Sequence, residues 1–188
     1  FGKVNYSLVF TDPAQAAGAV AAVEYKIDDG AWQTLEATLP VAFAQFATTV
    51  NGTMDAWNAV NQTSGTYTYT IRAKVVDSAH TRESEWAEAS GTLDFVKPVD
   101  LAISGTPTAA ITSATGYAFG FTCDDASDVN YSWTLNSDSG TSASISGSDL
   151  PDGPYDLSVT VADIFGNTCL TTATKSWIVD TLPPSNLA

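Results

Sequence analysis

Short runs of alternating apolar and polar residues recur along almost the whole chain. Val23, Tyr25 and Ile27 alternate with Glu24 and Lys26 ahead of the turn Asp28-Asp29-Gly30, and Tyr67, Tyr69, Ile71 and Ala73 alternate with Thr68, Thr70, Arg72 and Lys74. Tyr6, Leu8 and Phe10 do the same, as do Tyr117, Phe119 and Phe121, then Val129, Tyr131 and Trp133, then Leu157, Val159 and Val161, and finally Trp177 and Val179. A period of two puts successive side chains on opposite faces of a pleated strand, so each run predicts a half-buried β-strand. Only MDAWNAV (54–60) has room for one or two helical turns. The chain is expected to be all-β.

The strands repeat. GTYTYTIRA (65–73) overlays GPYDLSVTV (153–161), VEYKIDDG (23–30) overlays VNYSWTLN (129–136) with Tyr25 on Tyr131, and YSLVFT (6–11) overlays YAFGFT (117–122). The first copy carries an extra alanine-rich insert, PAQAAGAVAA (13–22), and a longer middle segment, 38–65. Two copies of one unit make a tandem array rather than one larger domain. The break falls at Lys97-Pro98-Val99-Asp100, which gives units at 1–97 and 98–188.

Charge and residue inventory exclude several function classes. Seven Lys and Arg stand against 21 Asp and Glu, a formal net charge of −14. That leaves too few cations for a nucleic-acid face, and an anionic membrane surface repels such a chain. No run of apolar residues is long enough to span a bilayer, so direct membrane insertion is not expected. The N-terminal FGKVNYSLVF has neither an initiator Met nor a signal pattern, as in a mature product or an excised piece. The single histidine, His80, lies in the polar run SAHTRES (78–84) and is expected to be a solvated loop residue. There is no phosphate loop, dinucleotide fingerprint, zinc helix motif or nucleophile elbow. No enzyme is expected.

YxIDxGxW (25–32), GxYxxxVxxxD ahead of a Gly-Asn turn (153–167) and the closing WIVDTLPP (177–184) resemble bacterial Ig-like repeats. The stretch YTIRAKVVDSAHTRESEW (69–86) is similar to fibronectin type III modules. The resemblance implies two tandem Ig-like β-sandwiches of the kind found in adhesin stalks and secreted enzymes, at a bacterial or archaeal cell surface or outside the cell. It implies neighbouring Ig-like domains or identical subunits as partners, with a glycan or surface receptor as the alternative. Against that plan the first unit lacks its first strand: 17 residues (100–116) precede YAFGFT, but only five precede YSLVFT. Two explanations stand open. The flank lies outside these residues, or another subunit supplies the strand.

The same fold places the loops around Cys123 and Cys169 at one end of the second sandwich, where a disulfide is expected. Such a bridge belongs to an oxidising compartment. The second copy holds ten Asp, no Glu and one cation, Lys175. Asp124, Asp125 and Asp128 lie in one loop, and the fold brings Asp163, Asn167 and the linker residue Asp100 to the same end. That set is a candidate Ca²⁺ site, because hard cations take oxygen ligands. Trp32, Trp57 and Trp86 are candidates for stacking on sugar. Trp57, in the irregular middle segment, is the one expected to be exposed.

Overall fold

The computed structural model describes residues 2–11, 18–35, 42–43, 47–77 and 83–184, and the chain divides into two units, Phe1–Phe95 and Val96–Ala188. The SAHTRES histidine, His80, lies outside the described residues.

In unit 1, β1 (Lys3–Thr11) pairs antiparallel with β5 (Ala47–Asp55) in a two-stranded sheet. The second sheet runs β3 (Gln33–Thr34), β2 (Gly18–Ile27), β6 (Thr66–Asp77), β7 (Ala87–Asp94), with the short β4 (Ala42–Phe43) also on β2. Leu8 and Met54 from the first sheet meet Val23, Ile71, Ala73 and Leu93 from the second in one buried cluster. The helical turn expected in MDAWNAV is α1 (Ala56–Ala59), capped by the Asp55 carboxylate, which accepts the Asn58 N–H. It lowers Ala56 into the core, and Val60 follows.

Unit 2 is the fuller sandwich. One sheet runs β13 (Ser144–Gly147), β10 (Tyr117–Asp124), β8 (Val99–Thr106). The other runs β12 (Asp138–Gly140), β11 (Val129–Leu135), β14 (Gly153–Asp163), β15 (Ala173–Val179), β9 (Ile111–Thr112), with β9 parallel to β15. Phe119, Phe121 and Ile145 face Leu135, Leu157, Val159, Trp177 and Val179 across the core. A three-stranded sheet over a five-stranded one, the central strands paired antiparallel, is an Ig-like β-sandwich.

Three pairs of features tie the units together strand by strand. Tyr6 sits opposite Gly52 and Tyr117 opposite Gly147, and in each case a Cβ on the glycine would run into the tyrosine ring. At the start of β6 and β14, Tyr67 and Tyr155 reach back four residues, their hydroxyls donating to the carbonyls of Thr63 (3.3 Å) and Pro151 (2.9 Å). On the paired strands β2 and β11, Ile27 faces Tyr69 and Leu135 faces Leu157, so Ile27 matches Leu135. The structural counterpart of Tyr25 is therefore Trp133, and the overlay of Tyr25 on Tyr131 is two residues out of step. A slip of two leaves every side chain on its original face, so the alternation alone could not reveal it.

Candidate functional site

One difference between the two units lies at a strand edge. Strand β10 is hydrogen-bonded along both edges: Phe119 faces Ile145 on β13 and Gly105 on β8. Its counterpart β1 is paired with β5 from Lys3↔Asp55 to Thr11↔Ala47, and among the described residues no strand pairs with its other edge. The two-stranded sheet leans over β6 and β7, much as β8 leans over β14 and β15 in unit 2. Val9, on the outer face of β1, is 66% exposed. Unpaired backbone N–H and C=O groups on such an edge form a template for a further strand. Lys3 is the only charged residue in β1, so this edge carries none of the chain's excess negative charge.

The acidic end of unit 2 assembles only part of the expected Ca²⁺ set. Asp163 and Asn167 are almost fully buried (3% and 2% exposed). One oxygen of Asp163 accepts the backbone N–H groups of Phe165 (2.9 Å) and Asn167 (2.8 Å), and the other accepts the Asn167 side-chain amide at 2.6 Å. This is the chemistry of a tight turn, with the carboxylate replacing backbone acceptors. Asp125 Oδ1 accepts from the N–H and hydroxyl of Ser127 (2.8 and 2.6 Å), while Oδ2 is buried with no hydrogen-bond partner among the described residues. A carboxylate oxygen of Asp125 and one of Asp163 come within 4.8 Å of each other. Asp128 joins through its backbone carbonyl, which accepts the Ile164 N–H at 3.0 Å. Asp124 is exposed at the end of β10, opposite Val99. Asp100 is exposed too, at an irregularity where Asp100 and Leu101 face Cys123.

Cys123 lies at that irregularity, and it and Cys169 are free thiols without the disulfide expected between them. Cys123 Sγ lies 3.6 Å from the Tyr131 hydroxyl, and Cys169 Sγ lies 3.3 Å from the Thr171 hydroxyl. The Thr171 hydroxyl holds the Cys169 thiol below its ordinary pKa, helped by the backbone at Leu101 and opposed by the nearby Asp100 charge. Burial, with the Cys123 sulfur beside it, pushes the Tyr131 hydroxyl up to about 12. Lys175 donates to the Thr108 carbonyl at 3.1 Å.

Trp57 is half-buried and not free-standing as expected. Its ring meets Phe95 edge-on with centroids 5.0 Å apart, against the core. The helical turn α1 is the reason, since it swings the middle segment back over the sandwich. Trp32 and Trp86 hold a cation between them, a role the alternation pattern did not announce. The Arg72 guanidinium carbon is 3.7 Å from one ring centroid and 4.1 Å from the other. Lys26 and Lys74 extend the row, each with its ammonium nitrogen 5.1 Å from a ring centroid. Arg72 also gives two hydrogen bonds to Glu24 Oε2, at 2.9 and 2.6 Å. The available signal was positional: Arg72 faces outward on β6, and the two tryptophans enter from the segments flanking its neighbouring strands.

Among the described residues no helix is long and apolar enough to cross a membrane. No family model matches the chain, and no curated protein matches it. Similar solved structures include the FN1–FN3 domains of chicken CNTN1, at TM-score 0.43 and 10% identity, covering 95% of this chain and 62% of that one. The human OSCAR ligand-binding domain gives TM-score 0.33 and 10% identity, covering 94% and 90%. The central fibronectin-III array of RIM-binding protein gives 0.27 and 14%, covering 96% and 59%. The chain thus spans less than two thirds of the first and third of these chains.

Proposed function

We propose that the chain is a non-catalytic structural module of a stalk or filament, at a bacterial or archaeal cell surface or outside the cell. Its partners are neighbouring Ig-like domains or identical subunits, and an incoming strand at β1 joins it to them. The open edge of β1 carries this reading, because the matching strand β10 has both edges paired. The two-copy plan supports it, since sandwiches joined in series give reach without a binding cleft. Ca²⁺ is the cofactor assigned to the acidic end of unit 2, with Asp125 and Asp163 as its holders.

Sedimentation velocity over a wide concentration range, with electron microscopy of the products, tests the assignment. Rod-like assemblies that grow with concentration are expected. A chain that stays monomeric throughout, yet binds a glycan and loses that binding on Trp57→Ala, would be a carbohydrate-binding module instead.

A further inference from the structure

The unpaired edge in unit 1 has its missing partner in view in unit 2. The Tyr6–Gly52 and Tyr117–Gly147 pairs fix the correspondence, so Leu8 matches Phe119 and Phe10 matches Phe121. Strand β8 sets Gly105 opposite Phe119 and Ile103 opposite Phe121. Gly105 has φ 127, and a Cβ there would collide with the Ala118 carbonyl oxygen, so only glycine serves. Leu101 and Ile103, two residues apart, pack their side chains onto the core.

Resting on the reading of β1 as a strand acceptor, we infer that its edge takes a free peptide strand of the β8 kind. That strand runs antiparallel to β1, with glycine opposite Leu8 and a β-branched apolar residue opposite Phe10. A further apolar residue comes two positions before the β-branched one. The edge tolerates a neutral or acidic strand, since Lys3 is the only charge along β1.

The test adds a synthetic peptide of residues 97–110, fluorescently labelled, to the whole 188-residue chain. Anisotropy reads binding, and hydrogen exchange reads its place. Saturable one-to-one binding is expected, with new protection confined to the amides of Lys3–Thr11. Peptides carrying Ile103→Asp or Gly105→Val should bind about tenfold more weakly or worse, through a buried carboxylate in one and a backbone collision in the other. No binding overturns the inference. So does protection confined to β10, which would mean exchange with the resident β8. Binding without any self-assembly sinks the filament and leaves the strand site standing, whereas assembly without peptide binding does the reverse.

Discussion

Asp28 and Asn136 occupy the same place in the two units and do the same work with different side chains. Both adopt left-handed backbone, φ 48 and φ 50, at the end of matching strands. Each side-chain oxygen accepts the N–H of the residue across the sheet, Thr68 at 2.8 Å and Asp156 at 2.9 Å. Each backbone N–H donates to that residue's carbonyl, at 2.7 and 3.0 Å. Asp and Asn are among the few residues that enter left-handed backbone at modest cost, and their short side chains reach a neighbouring N–H.

Replacing either with alanine removes the hydrogen bond and leaves an unfavourable backbone conformation. We expect Asp28→Ala and Asn136→Ala each to cost about 1–2 kcal/mol. Asp28→Asn should be nearly neutral. Urea unfolding followed by unit-specific probes reads the result, with each substitution moving only its own unit.

The Arg72 stack makes a prediction of another kind. Cation–π contacts at partly exposed sites contribute about 0.5–1 kcal/mol each, and Arg72 has two, plus its hydrogen bonds to Glu24. Arg72→Ala should destabilise unit 1 by about 1–3 kcal/mol. Arg72→Lys should recover only part of that, because an ammonium cannot lie flat between two rings. Tryptophan emission should shift to the red in both variants as Trp32 and Trp86 gain water.

Strand positions were legible where the face of a side chain decides everything. Tyr6, Leu8, Ile71, Phe119, Val159 and Trp177 alternate in the sequence and are buried in the structure. What alternation encodes is parity, and so the two-residue slip between Tyr25 and Trp133 was invisible. The recurrence of the strands was legible in the overlays of YSLVFT on YAFGFT and of GTYTYTIRA on GPYDLSVTV. Contacts made across strands were not. The Trp32–Arg72–Trp86 row joins three segments far apart in sequence, and Trp57 lies against the core because Asp55 caps a turn that only tertiary packing makes worthwhile.

Ca²⁺ at the acidic end is checked by calorimetry. With Asp125 and Asp163 carboxylates this close and one Asp125 oxygen buried without a hydrogen bond, a divalent cation offsets both the repulsion and the orphaned acceptor. Adding Ca²⁺ should raise the melting temperature of unit 2, and a chelator should reverse it. Asp125→Asn should abolish the rise while leaving the turn at Asp163 intact. A melting temperature indifferent to Ca²⁺ removes the cofactor.

Thiol chemistry tests the cysteine pair. Two equivalents of a thiol reagent are expected from the unfolded and unreduced chain if both cysteines stay the free thiols of this structure, and none before reduction if an oxidising compartment closes the expected Cys123–Cys169 bridge. In the reduced folded protein Cys169 should alkylate ahead of Cys123, because Thr171 favours its thiolate. Thr171→Val should slow Cys169 without changing Cys123.

Tyr131 sets an alkaline limit on unit 2. Its hydroxyl ionises near 10.0 in the unfolded chain and at about 12 in the folded one, so the folded state holds the proton more tightly. The stability this gives is whole below pH 10 and drains away as pH climbs through 12, since the unfolded chain gains by ionising first. Unit 2 should therefore lose denaturant resistance steeply across that window. Tyr131→Phe carries no hydroxyl to ionise and leaves Cys123 without its polar neighbour. Its stability at pH 8 should change little, and its curve between pH 10 and 12 should be flatter than that of the parent. A parent and variant that fall in parallel would move the alkaline sensitivity to another group.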